Sequence, residues 1–483
     1  MSQNRVMFAG TGSGCGKTTV TCAIMKALCL SGTEVLPFKC GPDYIDPMFH
    51  SHITGRSCTN LDSFFMGEDE LCWLMSQKLG MSEKTETPET LSPTDIHEAF
   101  RGNGKKIGIV EGVMGLFDGK GMTLTGSSFL VALWTNTPII LVVNARGMSL
   151  SLVAMIRGYV DFARKYTEKS LVRGVILNQA SPALCAALTP EIEAQTGVKV
   201  VGSFQTQAEG TFQSRHLGLV TAGEIKDLDE RMKALAVTAQ SSIDLSLIKE
   251  IASQAAPLPD KQPDFVKKIW HFRKENGGRK IRMGIAMDQA FSFYYNTNLE
   301  LLEALGVTLV PFSPLKDKSL PENISGLYIG GGYPELFEKE LSQNVSLLSQ
   351  IREKWEKGLC ILAECGGFMY LHERMDGWPM AGIIPGSCEM TKKLGPFGYV
   401  TLSSRKAGVF GPDGTAFLGH EFHYSRSENP GSDWDVSKTK TRTWQEGFSS
   451  PGMYAGYPHL YFYSNVDGIQ NFVRKMREIH DIF

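Results

Sequence analysis

The sequence predicts an α/β protein of two domains, the first a P-loop nucleotide-binding domain built on a parallel sheet. Three observations carry this reading. Apolar runs of strand length alternate with helical segments through the first half of the chain, the pattern of a parallel sheet covered on both faces. FAGTGSGCGKTT (Phe8 to Thr19) lies between one such strand and one such helix, the context a phosphate-binding loop requires. After a Pro-rich, polar stretch the alternation resumes with different motifs, among them LCILAECGGFMYL (Leu359 to Leu371).

The elements follow in order. VMFAG is a short apolar strand, and KTTVTCAIMKALCLSG is a helix closed by glycine. EVLPFK, IGIVEGV, TPIILVVNA, LVRGVILNQ and VKVVGSF supply the second to sixth strands. MSEKTETPETLSPTD (Met81 to Asp95) has the composition of an exposed loop or disordered insertion. AAPLPDKQPDF (Ala255 to Phe265) and HFRKENGGRK (His271 to Lys280) read as interdomain linker. The expected boundaries are 1–240 for the first domain, 241–280 for the linker and 281–483 for the second. Within the second, IRMGIAM, TLVPF, GLYIGGG and GLCILAECGG are strands, the last two running into turns, and LELLEALG is a helix. It is a second α/β domain and not a repeat of the first.

Composition excludes several function classes. With 42% hydrophobic residues, 21% charged residues and a net charge of −2, the chain has no basic domain suited to nucleic acid. Nor does it carry a global field that would steer an acidic substrate, which then needs a local basic pocket. No apolar run approaches the ~18 residues that mark a membrane span. MSQNRVMFAGTG enters a strand without a signal-peptide core. The ten cysteines are scattered with no CxxC pair, as expected of reduced thiols in the cytoplasm.

In the phosphate loop, Gly12, Gly14 and Gly16 allow backbone N–H groups to surround phosphate oxygens, and the helix N-terminus adds positive potential. Lys17 reaches for the outer phosphates, Thr18 offers its hydroxyl to Mg²⁺, and Thr19 completes GKTT. Thr11 stands where the strict pattern has glycine. The loops of dethiobiotin synthetase and its relatives are similar in this longer spacing. IVEGVMGLFDG (Ile109 to Gly119) supplies the second half of the site. Glu111 lies at the carboxyl edge of its strand, where ligands bind in open α/β sheets. It is either a holder of Mg²⁺, directly or through water, or a solvated strand-end group.

VLPFKCGPDYIDPMFH (Val35 to His50) is the unusual stretch. Lys39 ends a strand expected beside the P-loop strand, and Asp43 and Asp46 lie in a turn stiffened by Pro42 and Pro47. A cation and two carboxylates near the γ-phosphate serve Mg²⁺ binding, binding of a substrate carboxylate, or both. The bland alternative is a solvated surface turn. A switch GTPase needs a mobile segment here, whereas a rigid polar turn is a fixed seat for an acceptor.

PFKCGPDYIDP, with GTGSGCGKTTV before it and NLDSFF and VEGVMGLFDG after it, resembles the cobyrinic acid a,c-diamide synthases. These are the glutamine amidotransferases of vitamin B12 biosynthesis. The resemblance extends over nearly the whole chain, through LVVNARGM, GVILN, SRHLGLV, FSFYYNTNLELLEALG, GGGYPE and GHEFHYS. The sister cobyric acid synthases are expected to lack GPDYIDP. The resemblance implies a dethiobiotin synthetase-like first domain and a class I glutamine amidotransferase-like second domain. It also implies ATP as co-substrate with Mg²⁺, glutamine as nitrogen donor, and a tetrapyrrole such as cobyrinic acid as acceptor. Its a and c side-chain carboxylates are amidated through acyl phosphates, a transfer governed by positioning and charge neutralisation. Lys17 and Lys39 then supply positive charge, and Thr18, Asp43, Asp46 and Glu111 are the candidate metal ligands. By resemblance to dethiobiotin synthetase, Asn178 reads the adenine edge; otherwise it caps a strand end. Arg215 and His216 meet substrate carboxylates or pair with the fold's own acids. Two alternatives stay open. One is the same reaction on hydrogenobyrinate or nickel-sirohydrochlorin. The other is a non-catalytic P-loop partitioning or regulatory ATPase, against which Gly12 and the second domain weigh.

In that second domain, Cys365 sits at the turn between a strand and a helix, before a Gly-Gly pair. This is a nucleophile elbow with cysteine as nucleophile. The helix N-terminus is expected to lower the thiol pKa. Gly366 is a candidate oxyanion donor, with a second from the IGGGYPE turn near Gly331 and Gly332. The thiolate needs a base. His372 is too close to the elbow, and His480 lies in a charged terminal helix. Class I glutamine amidotransferases place their base late in the chain in an HxE motif. His459 matches the location, but Tyr461 stands in place of the glutamate, as in the vitamin B12 subgroup. The group that orients His459 is left unidentified. For His420 and His423 in GHEFHYS a structural role competes with catalysis.

Overall fold

In the computed structural model the described residues are 3–80, 106–168, 170–205, 214, 215, 218, 219, 222–276 and 281–480. The stretch from Met81 to Asp95, His216 and the side chain of Arg215 lie outside them. The chain divides into two compact units, Met1–Pro263 and Asp264–Phe483. Among the described residues no helix is long and apolar enough to cross a membrane.

The first unit carries seven strands: β1 (Arg5–Gly10), β2 (Glu34–Cys40), β3 (Thr59–Leu61), β4 (Lys106–Gly115), β5 (Ile139–Asn144), β6 (Val172–Asn178) and β7 (Lys199–Phe204). They form one sheet in the order β3-β2-β4-β1-β5-β6-β7, parallel at every pairing. The six helices α1 (Lys17–Leu30), α2 (Ile45–Thr54), α3 (Glu68–Lys78), α4 (Ser128–Trp134), α5 (Ser151–Ala163) and α6 (Pro182–Thr196) lie between the strands in the chain. The hairpin β8 (Ser214–Arg215) and β9 (Gly218–Leu219) and the helices α7 (Leu228–Ser242) and α8 (Leu245–Ser253) follow. Ile139 to Val143 are fully buried, which is why the central strands read as unbroken apolar runs. β3 was not expected: TNL carries no apolar run, and it forms by pairing with the end of β2. A further correction concerns Lys39. Its strand is not beside the P-loop strand, because β4 lies between β2 and β1. Lys39 instead pairs in register with Glu111 on β4.

The second unit opens with α9 (Asp264–Glu275), β10 (Ile281–Ala286), β11 (Phe291–Phe293), α10 (Asn296–Ala304), β12 (Val307–Phe312), β13 (Gly326–Ile329) and β14 (Gly331–Gly332). It continues through α11 (Glu338–Gln343), α12 (Val345–Glu356), β15 (Cys360–Glu364) and α13 (Gly366–Tyr370). Ten short strands follow: β16 (His372–Met375), β17 (Trp378–Pro379), β18 (Ile384–Met390), β19 (Phe397–Ser404), β20 (Ala416–Phe422), β21 (Ser425–Ser427), β22 (Trp434–Thr439), β23 (Arg442–Glu446), β24 (Phe448–Ser450) and β25 (Met453–Gly456). β26 (His459–Leu460) and α14 (Val466–His480) end the unit. The main sheet runs β12-β10-β13-β15-β25-β24, and two others run β17-β16-β18-β21 and β23-β22-β19-β20-β26. β15 is central in the main sheet and delivers Cys365 at its carboxyl end.

The stretch read as a linker, 241–280, is helical over much of its length. α8 buries Ile248, Ile251 and Ala252 in the first unit. Beyond it, the buried Arg5 guanidinium donates to the carbonyl of Ala256, and the Gln3 side chain accepts from Leu258 N–H. α9 buries Phe265 and Phe272 in the second unit, with Lys268 on Asp467 of α14 at 2.6 Å. Pro and Gly content signalled a boundary, but buried aromatic and aliphatic residues at helical spacing decided the structure.

Candidate active sites

The first site forms where β1, β2 and β4 end. Gly16 caps α1 with φ 87°, a left-handed conformation that glycine adopts without strain. A Cβ there would sit 2.0 Å from the Asn178 amide nitrogen. That amide donates to the Cys15 carbonyl at 2.8 Å. Asn178 therefore braces the phosphate loop from the end of β6. Its amide nitrogen is thus turned on the loop backbone. The Tyr159 hydroxyl donates to the carbonyl of Thr11 at 2.5 Å, holding the loop at the position where it departs from the strict pattern. Nothing in the sequence pattern marked Tyr159, because α5 contacts the loop only in the fold.

Behind the loop lies a buried ionic cluster centred on Glu111, which is fully buried, as is His50, while Lys39 is 2% exposed. Glu111 Oε1 accepts from Thr18 Oγ1 at 2.6 Å and from Lys39 Nζ at 3.0 Å. Lys17 Nζ stands 3.7 Å away, and His50 Nε2 stands 2.7 Å from Oε2. Lys39 also donates to Asp46 Oδ2 and to the Gly112 carbonyl. Burial pushes the Glu111 carboxyl up, but Lys39, His50 and Lys17 outweigh it and hold the group well below the usual carboxylate range. Burial likewise opposes the Lys39 charge, and Asp46, Glu111 and Asp43 reverse this, so its pKa stands well above normal. Lys39 is a fixed cation.

The two aspartates differ. The turn is shorter than expected, since α2 begins at Ile45 and takes in Asp46 and Pro47; proline is tolerated in a first helical turn. Asp43 Oδ1 accepts the N–H groups of Ile45 and Asp46 at 2.9 and 3.4 Å, so it starts the helix. Its other oxygen is 3.6 Å from Lys39, and its side chain is 31% exposed. Asp46 points inward, with Oδ2 accepting from Thr18 Oγ1 at 3.3 Å. Burial and the neighbouring Asp43 charge raise the Asp46 pKa. His50 was missed as a site residue; it lies one helical turn beyond Asp46, the spacing that places both on one face. Gly112, next to Glu111, is packed against the start of α4: a Cβ there would meet Ser128 Oγ at 2.6 Å.

Among the described residues, no group of three or more His, Cys, Asp and Glu side chains is arranged to hold a metal. Mg²⁺, however, commonly takes one or two carboxylates plus phosphate oxygens and water. Asp46 Oδ2 and Glu111 Oε1 both lie within hydrogen-bond distance of Thr18 Oγ1. That oxygen set fits such an ion.

The second site is in the other unit. Cys365 has φ 50° and ψ −103°, a strained conformation for a residue with a side chain, of the kind found at functional turns. It is held by its N–H on the Gly456 carbonyl at 2.8 Å. The expected lowering of its thiol pKa is not what the surroundings produce. Burial, then Glu335 and Glu421, push the thiol up, and the Gly366 N–H opposes them only in part. A five-residue helix in a buried, acidic setting does not outweigh desolvation. A Cβ on Gly331 would lie 2.4 Å from His459 Cε1, 3.0 Å from Nε2 and 3.5 Å from Cys365 Cβ. Gly331, His459 and Cys365 therefore meet. Gly332 N lies 3.4 Å from where a Gly366 Cβ would stand, so β14 runs beside the elbow.

The other histidines have separate roles. His372 is buried, with ring nitrogens 2.9 Å from the Phe368 carbonyl and 2.7 Å from Ser427 Oγ. His423 stacks on Tyr457 with ring centroids 3.7 Å apart and lies 2.9 Å from Glu421. Burial lowers its pKa to about 4. His420 is the cross-strand neighbour of His459.

Comparison with known proteins agrees with this division. Residues 6–209 match the family described as CobQ/CobB/MinD/ParA nucleotide binding domain. Residues 282–466 match the CobB/CobQ-like glutamine amidotransferase domain. A protein named cobyrinate a,c-diamide synthase from Caldanaerobacter subterraneus subsp. tengcongensis is 37% identical over 477 residues, covering 97% of each chain. A protein of the same name from Fusobacterium nucleatum subsp. nucleatum is 38% identical, covering 96% of this chain and 98% of that one. Another, from Priestia megaterium, is 35% identical over 99% of this chain and 98% of its own. At such identity over almost the whole of both chains, the protein belongs to the family of cobyrinate a,c-diamide synthases.

Proposed function

We propose that the protein is an ATP- and glutamine-dependent amide ligase that converts the a and c side-chain carboxylates of cobyrinate into amides. One observation carries the reading. A phosphate loop backed by a buried Lys39–Glu111–Asp46 cluster shares a chain with a cysteine elbow facing His459.

A carboxylate resists attack by ammonia until its oxygen becomes a leaving group. Phosphoryl transfer from ATP to that oxygen is chiefly a matter of position and of neutralising charge. Lys17 and Lys39 supply fixed positive charge at the phosphate loop, and Asn178 and Tyr159 keep the loop in shape. Mg²⁺, held by Thr18, Asp46 and Glu111, would screen the phosphate oxygens. Asp43, half turned to solvent, flanks the acceptor carboxylate, and its helix-start bonds keep it rigid. At the second site, Cys365 attacks the glutamine amide while His459 takes the thiol proton. Backbone N–H groups at Gly366 and on β14 at Gly331 and Gly332 receive the oxyanion. The ammonia released then displaces phosphate from the acyl phosphate. With ten free cysteines, the chain suits a reducing compartment such as the cytoplasm.

The test is Cys365→Ala assayed with cobyrinate and ATP. Glutamine-driven amidation is expected to vanish while amidation driven by ammonium persists with ADP release. Loss of both would sink the two-site reading.

A further inference from the structure

The residue before the nucleophile stands where an orienting group for the base belongs. Glu364 is 2% exposed. Its Oε1 accepts the Leu460 backbone N–H at 3.0 Å, so it grips the residue next to His459. Its Oε2 accepts the Tyr328 hydroxyl at 2.8 Å and lies 3.7 Å from His459 Nδ1. The Cε1–Nε2 edge of the same ring faces Gly331 beside Cys365. The carboxylate therefore stands at Nδ1, while Nε2 belongs to the ring edge that faces Gly331 beside Cys365. Tyr461, two residues after the base, is buried and packs edge-on against Tyr295, and supplies no carboxylate.

We propose that Glu364 is the positioning carboxylate of the glutaminase site, holding His459 with its proton on Nδ1 and stabilising the imidazolium formed when Nε2 takes the Cys365 proton. The inference rests on the reading of Cys365 and His459 as a glutaminase pair. The step balances. The S–H bond breaks, its proton passes to Nε2, and the sulfur electron pair forms the bond to the amide carbon. The Nε2 proton then leaves on the departing ammonia. Because burial above all opposes a thiolate at Cys365, the ion pair depends on a counter-charge at Nδ1 of the ring. The phenol of Tyr328 and the Leu460 N–H keep that carboxylate from turning away, as orienting partners do in catalytic triads.

Four measurements test this, all on the full-length chain. Glu364→Gln should lower glutamine-driven kcat by about 10²- to 10⁴-fold and leave ammonium-driven amidation unchanged. Glu364→Asp, which keeps the charge, should recover part of the loss. Iodoacetamide should alkylate Cys365 of Glu364→Gln more slowly than the parent at neutral pH. In ¹⁵N-histidine-labelled parent protein, neutral His459 should carry its proton on Nδ1, a readout that needs no variant to fold. The proposal is overturned if His459 is protonated on Nε2 instead. It is also overturned if Glu364→Gln matches the parent in glutamine turnover and alkylation profile, or if it loses ammonium-driven amidation as well. A parent chain that releases no ammonia from glutamine overturns the glutaminase reading itself, and is told apart by that measurement alone.

Discussion

Gly331→Ala is the sharpest single-atom test of the glutaminase geometry. Nothing in the backbone forbids alanine, since Gly331 is not among the glycines with positive φ. The obstacle is space. The new Cβ would stand 2.4 Å from His459 Cε1 and 3.0 Å from Nε2, whereas ordinary contact begins near 3.4 Å. The ring edge must retreat by about 1 Å, and a misplacement of ~1 Å in a reacting group costs about 10²-fold in rate. That corresponds to ~2.7 kcal/mol of transition-state stabilisation. Overpacking itself is expected to cost about 1–3 kcal/mol of stability, so melting is recorded alongside. The assay compares glutamine-driven with ammonium-driven amidation at one temperature. The first should fall about 100-fold and the second should hold. If Gly331→Ala keeps full glutamine turnover, the crowding of Gly331, His459 and Cys365 is not the catalytic geometry.

Lys39→Met should abolish amidation with either nitrogen donor and spare glutamine hydrolysis. Removing one partner of a buried ionic cluster should also lower stability by about 3–5 kcal/mol; a variant that melts like the parent would contradict the cluster. Asn178→Ala removes a brace worth about 1 kcal/mol, or ~5-fold in the KM for ATP under ammonium; an unchanged KM would rule out the bracing role. Burial raises Glu421 to about 8, so the folded state holds a proton that the unfolded chain loses. The stability this gives is complete below the usual carboxylate pKa and is lost as pH rises toward 8. Glu421→Gln should therefore gain melting temperature on the parent between pH 5 and pH 8; parallel melting curves would refute this.

Legibility in the sequence tracked how local the signal was. The phosphate loop and the elbow are contiguous motifs whose strand–turn–helix context is encoded on either side, and both stood out. The strands of the first unit are buried on both faces and show as apolar runs. β3 did not, because three residues paired at a sheet edge need no apolar run. The small strands β16 to β24 were also illegible: they are short and interrupted by turns. Relations across the fold were hidden for a different reason. His50 reaches Glu111 through α2, Tyr159 reaches Thr11 through α5, and Glu364 reaches His459 because β26 comes back to the end of β15. A glutamate beside a nucleophile looks like part of its turn until the returning strand is in place. The thiol was misjudged because a helix terminus is visible in sequence and burial among acids is not.

The grip of Lys39 and His50 on one carboxylate has a consequence for how this segment can vary. Asp46 and His50 work together because they share a helix face, and each residue added or removed between them turns one by about 100° relative to the other. Lys39 is bound by the register that pairs it with Glu111. The spacing Lys-x6-Asp-x3-His is thus a ruler of fixed length, intolerant of insertion. In a distant P-loop chain, that ruler, together with a glutamate ending the neighbouring strand, would be the mark by which the same charged pocket could be found.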